Sequence, residues 1–170
     1  MFTGKMVTEA IPARVFALYK IVTSKKNISR LALQGLMEPK EIYEGTSYFS
    51  TILKTAIELK LVDVQDNYVT AIVPEEKLKT IEDLRMYIIS KLDNYEEEQF
   101  YKCTNAIVNL DEKIYKYRSI SDNEMLNYLS QKSNQQITAP MARGWRFWAQ
   151  FLGFGYMLSL IHISEPTRRS

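Results

Sequence analysis

The stretch from Tyr48 to Val73, YFSTILKTAIELKLVDVQDNYVTAIV, decides the fold. Its first half repeats apolar residues at three and four positions, the spacing of an amphipathic helix. The predicted apolar face consists of Phe49, Ile52, Leu53, Ala56, Ile57 and Leu59. From Leu61 onward, apolar and polar residues alternate on both sides of Asp66-Asn67, a pair typical of tight hairpin turns. The stretch therefore predicts a helix followed directly by a β-hairpin.

Upstream, the segment IPARVFALYKIVTSKK predicts another amphipathic helix. Pro12 fits the first turn of a helix, where its missing N–H is not needed. The apolar positions recur at helical spacing. They are Val15, Leu18, Tyr19 and Val22.

A second, shorter helix is predicted for RLALQGLM. Ile28 precedes it as a short extended contact, Ser29 is a favourable N-cap, and Pro39 ends it. Gly45, Thr46 and Ser47 then predict a break and a cap before the helix that follows.

This order of elements, from Pro12 to Val73, resembles the winged helix-turn-helix family. The junction Leu59-Lys60-Leu61-Val62 between the third helix and the hairpin strengthens the resemblance. The resemblance implies a third helix that lies in the major groove of duplex DNA and reaches base edges with its N-terminal half.

Carried onto this chain, the resemblance implies contact residues at the outward positions of the third helix. They are Ser47, Tyr48, Ser50, Thr51, Lys54 and Thr55. Lys25, Lys26 and Arg30 are expected where the second helix approaches the phosphate backbone. Hydroxyl groups, lysine and arginine can all bond phosphates.

Other features weaken this interpretation. The third helix has no Arg, Asn or Gln, the side chains that read guanine and adenine with two hydrogen bonds. Asp63 and Asp66 in the hairpin would be repelled by phosphates. Two alternatives therefore stay open at this point: contact with duplex DNA, and a domain of the same shape that contacts proteins or serves as a scaffold.

The second half of the chain is predicted to be helical almost throughout. Apolar residues at helical spacing run from Leu78 to Leu92, and others from Ile107 to Tyr117 predict a further helix. Ser121 and Glu124 match a capping box at the start of the next helix.

The segment ITAPMARGWRFWAQFLGFGY predicts one more helix, with Pro140 in its first turn and a stop at Gly153 and Gly155. Its aromatic residues at helical spacing favour core packing over stacking on nucleic-acid bases. Together with the preceding helix and the break from Ser133 to Thr138, this segment resembles a second helix-turn-helix.

The last thirteen residues, LSLIHISEPTRRS, differ from the rest of the chain. Leu158 to Arg168 resembles the translation of a transposase-type sequencing adapter, so we expect residues 158–170 to be non-native and the natural sequence to be cut after about Met157. On this interpretation His162, the only histidine, carries no function.

Composition excludes few classes of protein. The chain has 170 residues, 46% of them hydrophobic, and a formal net charge of +2. Nucleic-acid binding would therefore depend on a local basic surface. No stretch is long and apolar enough for a membrane helix, and neither a signal peptide nor a disulfide pair is seen, so a cytoplasmic location is expected.

The residue types that enzymes most often use are missing. Cys103 has no histidine or second cysteine to activate or pair with, and a buried structural thiol is expected. No phosphate-binding glycine loop occurs. We therefore expect a non-enzymatic protein with no cofactor and no metal.

Two segments, IPARVFALYKIVTSKKNISRLALQGLMEP and GWRFWAQFLGFG, resemble the DpdG family. These are accessory proteins of bacterial gene clusters that place 7-deazaguanine derivatives in DNA and restrict unmodified DNA. The resemblance implies a DNA-associated or complex-forming role in phage defence, and it transfers no catalytic residue.

The sequence thus predicts a mainly α fold with a small β-hairpin wing. Residues 1–74 form a winged helix-turn-helix, residues 75–157 form a helical region with the start of a truncated second winged helix, and residues 158–170 are the adapter-derived tail. The expected partner is double-stranded DNA, with protein partners as the alternative and no membrane association.

Overall fold

The computed structural model describes residues 2–41, 45–117 and 119–154. These residues are mainly helical and include a small three-stranded antiparallel sheet, which confirms the predicted fold class at this level. The predicted adapter tail, with His162, and the predicted stop at Gly155 lie outside the described residues. No helix among the described residues is long and apolar enough to cross a membrane.

The chain divides into two compact units. Among the described residues, the first comprises Phe2 and residues 9–41 and 45–91, and the second comprises residues 3–8, 92–117 and 119–154. The predicted domain boundary at residue 74 falls inside the first unit. One reason is that the hydroxyl of Tyr87 donates a hydrogen bond of 3.1 Å to the carbonyl oxygen of Leu59 and so ties the following helix to this unit.

The first unit contains four helices and three strands among its described residues. In chain order they are α1 Pro12–Lys25, β1 Ile28–Ser29, α2 Arg30–Met37, α3 Phe49–Glu58, β2 Val62–Gln65, β3 Tyr68–Ala71 and α4 Ile81–Ile89. A 3-10 turn at Glu75–Lys77 precedes α4. The predicted elements from Pro12 to Val73 are all present.

The sheet has the strand order β1-β3-β2, with Ile28 opposite Val69 and Val64 opposite Val69 on the other side. Asp66 and Asn67 connect β2 to β3 with φ angles of 49° and 67°. Positive φ at both central residues is what a two-residue hairpin turn of type I′ requires, and Asn and Asp tolerate it well. The predicted hairpin is therefore confirmed at its turn.

The core of the first unit forms where α1 packs on α3 and the sheet. All four predicted apolar residues of α1 are fully buried. Burial, followed by the charges of Glu75 and Glu76, raises the pKa of Tyr19 to about 12, and its hydroxyl donates to the carbonyl oxygen of Val73 at 2.9 Å. The sequence predicts that Ile57 belongs to the buried apolar face of α3. This prediction is wrong, because Ile57 is 40% exposed.

The N-cap predicted for α2 is observed, whereas the N-cap predicted for α3 is not. Ser29 accepts a hydrogen bond from the amide of Ala32 at 3.2 Å, as predicted. The cap expected from Ser47 is wrong: the N-cap position of α3 is Tyr48, which forms no side-chain cap. The acceptor at this helix end is the carboxylate of Glu38, described below.

The second unit contains α5 Gln99–Val108, α6 Asn123–Ser133 and α7 Ala139–Phe151, with 3-10 segments at Leu92–Tyr95 and Asp111–Lys116. The helix predicted across Ile107 to Tyr117 is therefore split. The capping box predicted for Ser121 and Glu124 is wrong: the N-cap of α6 is Asp122, whose side chain accepts from the amide of Glu124 at 3.1 Å. α6 ends at Ser133, and Asn134, with φ of 54°, is its C-cap and lies within the predicted break.

Trp145 and Trp148 of α7 are almost completely buried. The indole N–H of Trp145 donates to the hydroxyl of Thr104 at 2.9 Å. The core-packing interpretation is thereby confirmed for both tryptophans, and neither ring is available to stack on a base. Burial raises the pKa of the neighbouring Cys103 thiol to about 12, so Cys103 is a structural thiol in this core.

Candidate nucleic-acid interface

The residues predicted to contact DNA lie on α1, α2 and α3 of the first unit or next to the ends of these helices, and most of them are exposed. Ser50 and Lys54 are one turn apart on the outward side of α3, and Thr51 between them is half-buried. Thr55 does not belong to this surface, because it is 1% exposed and its hydroxyl bonds the carbonyl oxygen of Thr51 at 3.0 Å. The prediction of Thr55 as an outward residue is wrong.

Arg30 joins the outward side of α3 from the start of α2. Its guanidinium donates to the hydroxyl of Ser50 at 3.4 Å. Arg30, Ser50, Thr51 and Lys54 thus form one polar surface, which we call the α3 surface. It carries two cationic side chains, and neither Arg30 nor Lys54 forms an ion pair with another described residue.

Lys25 and Lys26 lie at the start of the short connection between α1 and α2, and Arg30 lies at its end. Lys25 is the last residue of α1, and Lys26 follows with a φ of 61°. Both side chains are exposed. They increase the positive charge ahead of α2, since β1 spans only two residues.

Tyr48 and Ser47 are engaged in contacts within the first unit. The Arg14 guanidinium lies over the Tyr48 ring, 5.8 Å from its centroid. Ser47 donates to Glu38 at 2.6 Å and accepts from the side chain of Gln34 at 3.2 Å. Both predicted contact residues therefore already have partners in the protein, and a DNA ligand would compete with those partners.

Glu38 occupies the N-terminus of α3. Besides the Ser47 hydroxyl, it accepts the backbone N–H groups of Tyr48 at 2.7 Å and Phe49 at 2.9 Å. A carboxylate at this position satisfies amides that lack helical partners and is favoured by the helix dipole. It also occupies the end of the helix where a phosphate would otherwise bind.

The pKa of Glu38 reflects this arrangement. Burial acts to raise the pKa, but the hydrogen bonds from Ser47, Tyr48 and Phe49 outweigh it, so the pKa lies below its usual value of 4.5. The folded protein therefore holds Glu38 ionised at neutral pH. The negative charge is a permanent feature at the edge of the α3 surface.

The hairpin turn adds a second acidic group near Arg30. The amide of Arg30 donates to the carbonyl oxygen of Asn67 at 2.9 Å, which brings the turn beside the start of α2. Asp66, the neighbour of Asn67, is exposed. Asp63 is half-buried and accepts a hydrogen bond from Gln65 at 3.0 Å.

We expect Glu38→Ala to lower the free energy of unfolding of the first unit by about 1–2 kcal/mol at neutral pH, because the helix end loses its acceptor. A group with a lowered folded-state pKa stabilises above its unfolded pKa, and this contribution is lost as pH falls. The difference between the variant and the parent should therefore shrink below pH 4.5. Urea unfolding followed by circular dichroism at several pH values measures it.

The matched control is Glu41→Gln, since Glu41 is a nearby exposed carboxylate. It should leave the unfolding free energy within about 0.5 kcal/mol of the parent at every pH. Equal losses for the two variants would contradict the capping role of Glu38.

Sequence reasoning missed Glu38 and Arg14. Glu38 precedes the amides it caps by ten and eleven residues, whereas the capping patterns readable from sequence span three residues. Arg14 lies on α1, whereas Tyr48 is the N-cap of α3. Neither contact has a local signal.

Other kinds of site find little support in the described part of the chain. No group of three or more His, Cys, Asp or Glu that could hold a metal ion occurs among residues 2–41, 45–117 and 119–154. Comparison of the chain with family models, with curated proteins and with solved structures gives no match.

Proposed function

We propose that the chain is a non-enzymatic protein that binds duplex DNA, with a winged helix-turn-helix as its first unit. The order α1-β1-α2-α3-β2-β3, with β1 paired to β3, supports this fold assignment. The observation that carries the functional proposal is the hydrogen bond between Arg30 and Ser50, because it joins the start of α2 to the outward side of α3. Helix-turn-helix proteins contact DNA with these two regions.

The α3 surface is suited to phosphate contact more than to base readout. Its polar groups are two hydroxyls, one lysine and one arginine, all of which bond phosphates. Glu38 and Asp66 at its edges disfavour a close approach of the backbone. Weak binding with little sequence preference is the expected behaviour of this unit.

Lys54→Glu should weaken binding to a short mixed-sequence duplex at low salt without unfolding the chain, because Lys54 is exposed and forms no ion pair with another described residue. Loss of one phosphate contact reduces the slope of log affinity against log salt by about 1. Fluorescence anisotropy of a labelled duplex measures both quantities, and circular dichroism checks the fold.

The control for this substitution is Lys77→Glu, which makes the same charge change at an exposed lysine of the 3-10 turn after the sheet. It should leave the affinity close to that of the parent. If Lys54→Glu binds as the parent does, α3 is not the contacting helix.

The second candidate function is protein interaction, favoured by the outward side of α2. Leu31 and Leu36 are 76% and 50% exposed, and Ala32 and Gly35 between them are also exposed. Salt separates the two functions, because phosphate contacts weaken steeply with salt and an apolar interface does not. The accessory role in DNA modification and restriction that the DpdG resemblance implies stays a prediction.

A further inference from the structure

The outward side of α7 carries a set of side chains that differs in kind from those of α3. Its members are Pro140, Arg143, Phe147 and Gln150, all exposed, and the half-buried Arg146. At 3.6 residues per turn they fall within an arc of about 120°. The opposite side of the helix is packed into the core of the second unit through residues such as Trp145 and Trp148.

The charged residues of α7 and of the segment before it in sequence, from residue 125, are of one sign. Residues 125–154 contain Lys132, Arg143 and Arg146 and no Asp or Glu. The side chains of both arginines form no ion pair with another described residue, and the buried Nε of Arg146 has no hydrogen-bond partner among the described atoms. The α3 surface, in contrast, has Glu38 and Asp66 at its edges.

The residue types on α7 are those that read base edges. Arginine bonds guanine and glutamine bonds adenine with two hydrogen bonds each, and an apolar ring can contact the thymine methyl group. Arg143 and Gln150 are seven residues apart, so they lie two turns apart on the same side, with Phe147 between them.

Building on the proposed function, we propose that α7 is a second contact site for duplex DNA and the one that reads sequence, with Arg143 and Gln150 at base edges and Arg146 on a phosphate. An α-helix fits the major groove of duplex DNA. Single-strand binding relies on several exposed aromatic rings, whereas α7 exposes Phe147 and buries Trp145 and Trp148.

The first experiment measures affinity for a labelled mixed-sequence duplex as a function of salt, using the full chain. Arg143→Glu should weaken binding and lower the salt slope by about 1. The matched control is Lys113→Glu, since Lys113 is an exposed cation of the same unit that follows Asp111 and Glu112. It should bind as the parent does.

The second experiment tests base readout with a pool of duplexes of randomised sequence. The parent chain should enrich a subset of sequences. Arg143→Lys keeps the charge but loses the planar fork, so it should bind the pool with an unchanged salt slope and lose roughly 5- to 150-fold in preference at the guanine position. Gln150→Ala should lose preference at an adenine position.

The outcomes separate this inference from the proposed function. If Arg143→Glu binds as the parent does while Lys54→Glu binds more weakly, α7 is not a DNA site and the proposed function stands. The assignment of α7 is overturned if Lys113→Glu weakens duplex binding as much as Arg143→Glu does. It is also overturned if the Arg143→Lys variant enriches the same sequences from the pool as the parent chain does. A single strand that displaces the duplex overturns the choice of ligand, and a parent chain that binds no duplex at low salt overturns both proposals.

Discussion

Trp145→Ala is expected to destabilise the second unit by about 3–5 kcal/mol, whereas Phe147→Ala is expected to cost less than about 1 kcal/mol. The two aromatic residues are two positions apart on α7, but Trp145 is 1% exposed and Phe147 is 38% exposed. Removing a fully buried indole leaves a cavity and loses its dispersion contacts. It also removes the N–H that bonds Thr104.

Tryptophan fluorescence during urea unfolding measures this difference, because both tryptophans of the chain lie on α7 and report on the second unit. Trp148 remains as the probe in the Trp145→Ala variant. Trp145→Phe is the intermediate case, since it keeps an aromatic ring and loses the hydrogen bond to Thr104. Similar losses for Trp145→Ala and Phe147→Ala would contradict the assignment of the two sides of α7.

The same pair of variants distinguishes a structural from a DNA-binding role for the aromatic residues. Phe147→Ala should leave the fold intact, so any loss of sequence preference in this variant reports on contact with DNA. Trp145→Ala should weaken DNA binding only to the extent that α7 loses its structure. The two variants are compared by their affinity for duplex DNA, measured at urea concentrations below the unfolding midpoint of each variant.

The parts of the fold that were predictable from sequence are those set by local patterns. The bounds of α1 and α2 follow from Pro12, Ser29 and the periodicity of apolar residues, and the hairpin follows from Asp66-Asn67. These signals act over at most a few residues, so they are visible without the tertiary structure.

The candidate site was predictable only in part. The helical period correctly identified Ser50 and Lys54 as exposed. The helical period failed for Thr55. The hydroxyl of Thr55 donates to the carbonyl oxygen of Thr51 in the preceding turn, so this side chain can be buried without leaving a polar group unsatisfied. The bond between Arg30 and Ser50 depends on how α2 packs beside α3, which no local pattern encodes.

Gly144→Ala should destabilise the second unit, although alanine is normally favoured over glycine within a helix by about 1 kcal/mol. A Cβ atom at Gly144 would lie 2.5 Å from the carbonyl oxygen and 2.6 Å from the carbonyl carbon of Val7. The obstacle is backbone, so no side-chain rotation relieves it. Either α7 or the segment of residues 3–8 must move, and overpacking of this kind costs about 1–3 kcal/mol.

Gly35→Ala is the matched control, because Gly35 also lies within a helix and a Cβ atom there would meet nothing within 4 Å. It should stabilise the first unit by about 0.5–1 kcal/mol through the lower conformational entropy of the unfolded chain. Urea unfolding followed by circular dichroism measures both variants, with tryptophan fluorescence as a second probe for Gly144→Ala.

A double-mutant cycle with a chain that begins at Glu9 tests the cause of the effect. Deletion of the first eight residues has its own cost, since Met6 is 1% exposed. In the shortened chain, however, the backbone of Val7 is absent, so Gly144→Ala should become neutral or stabilising. If Gly144→Ala destabilises both chains equally, the close approach of Val7 to α7 is not the reason that glycine is needed at this position.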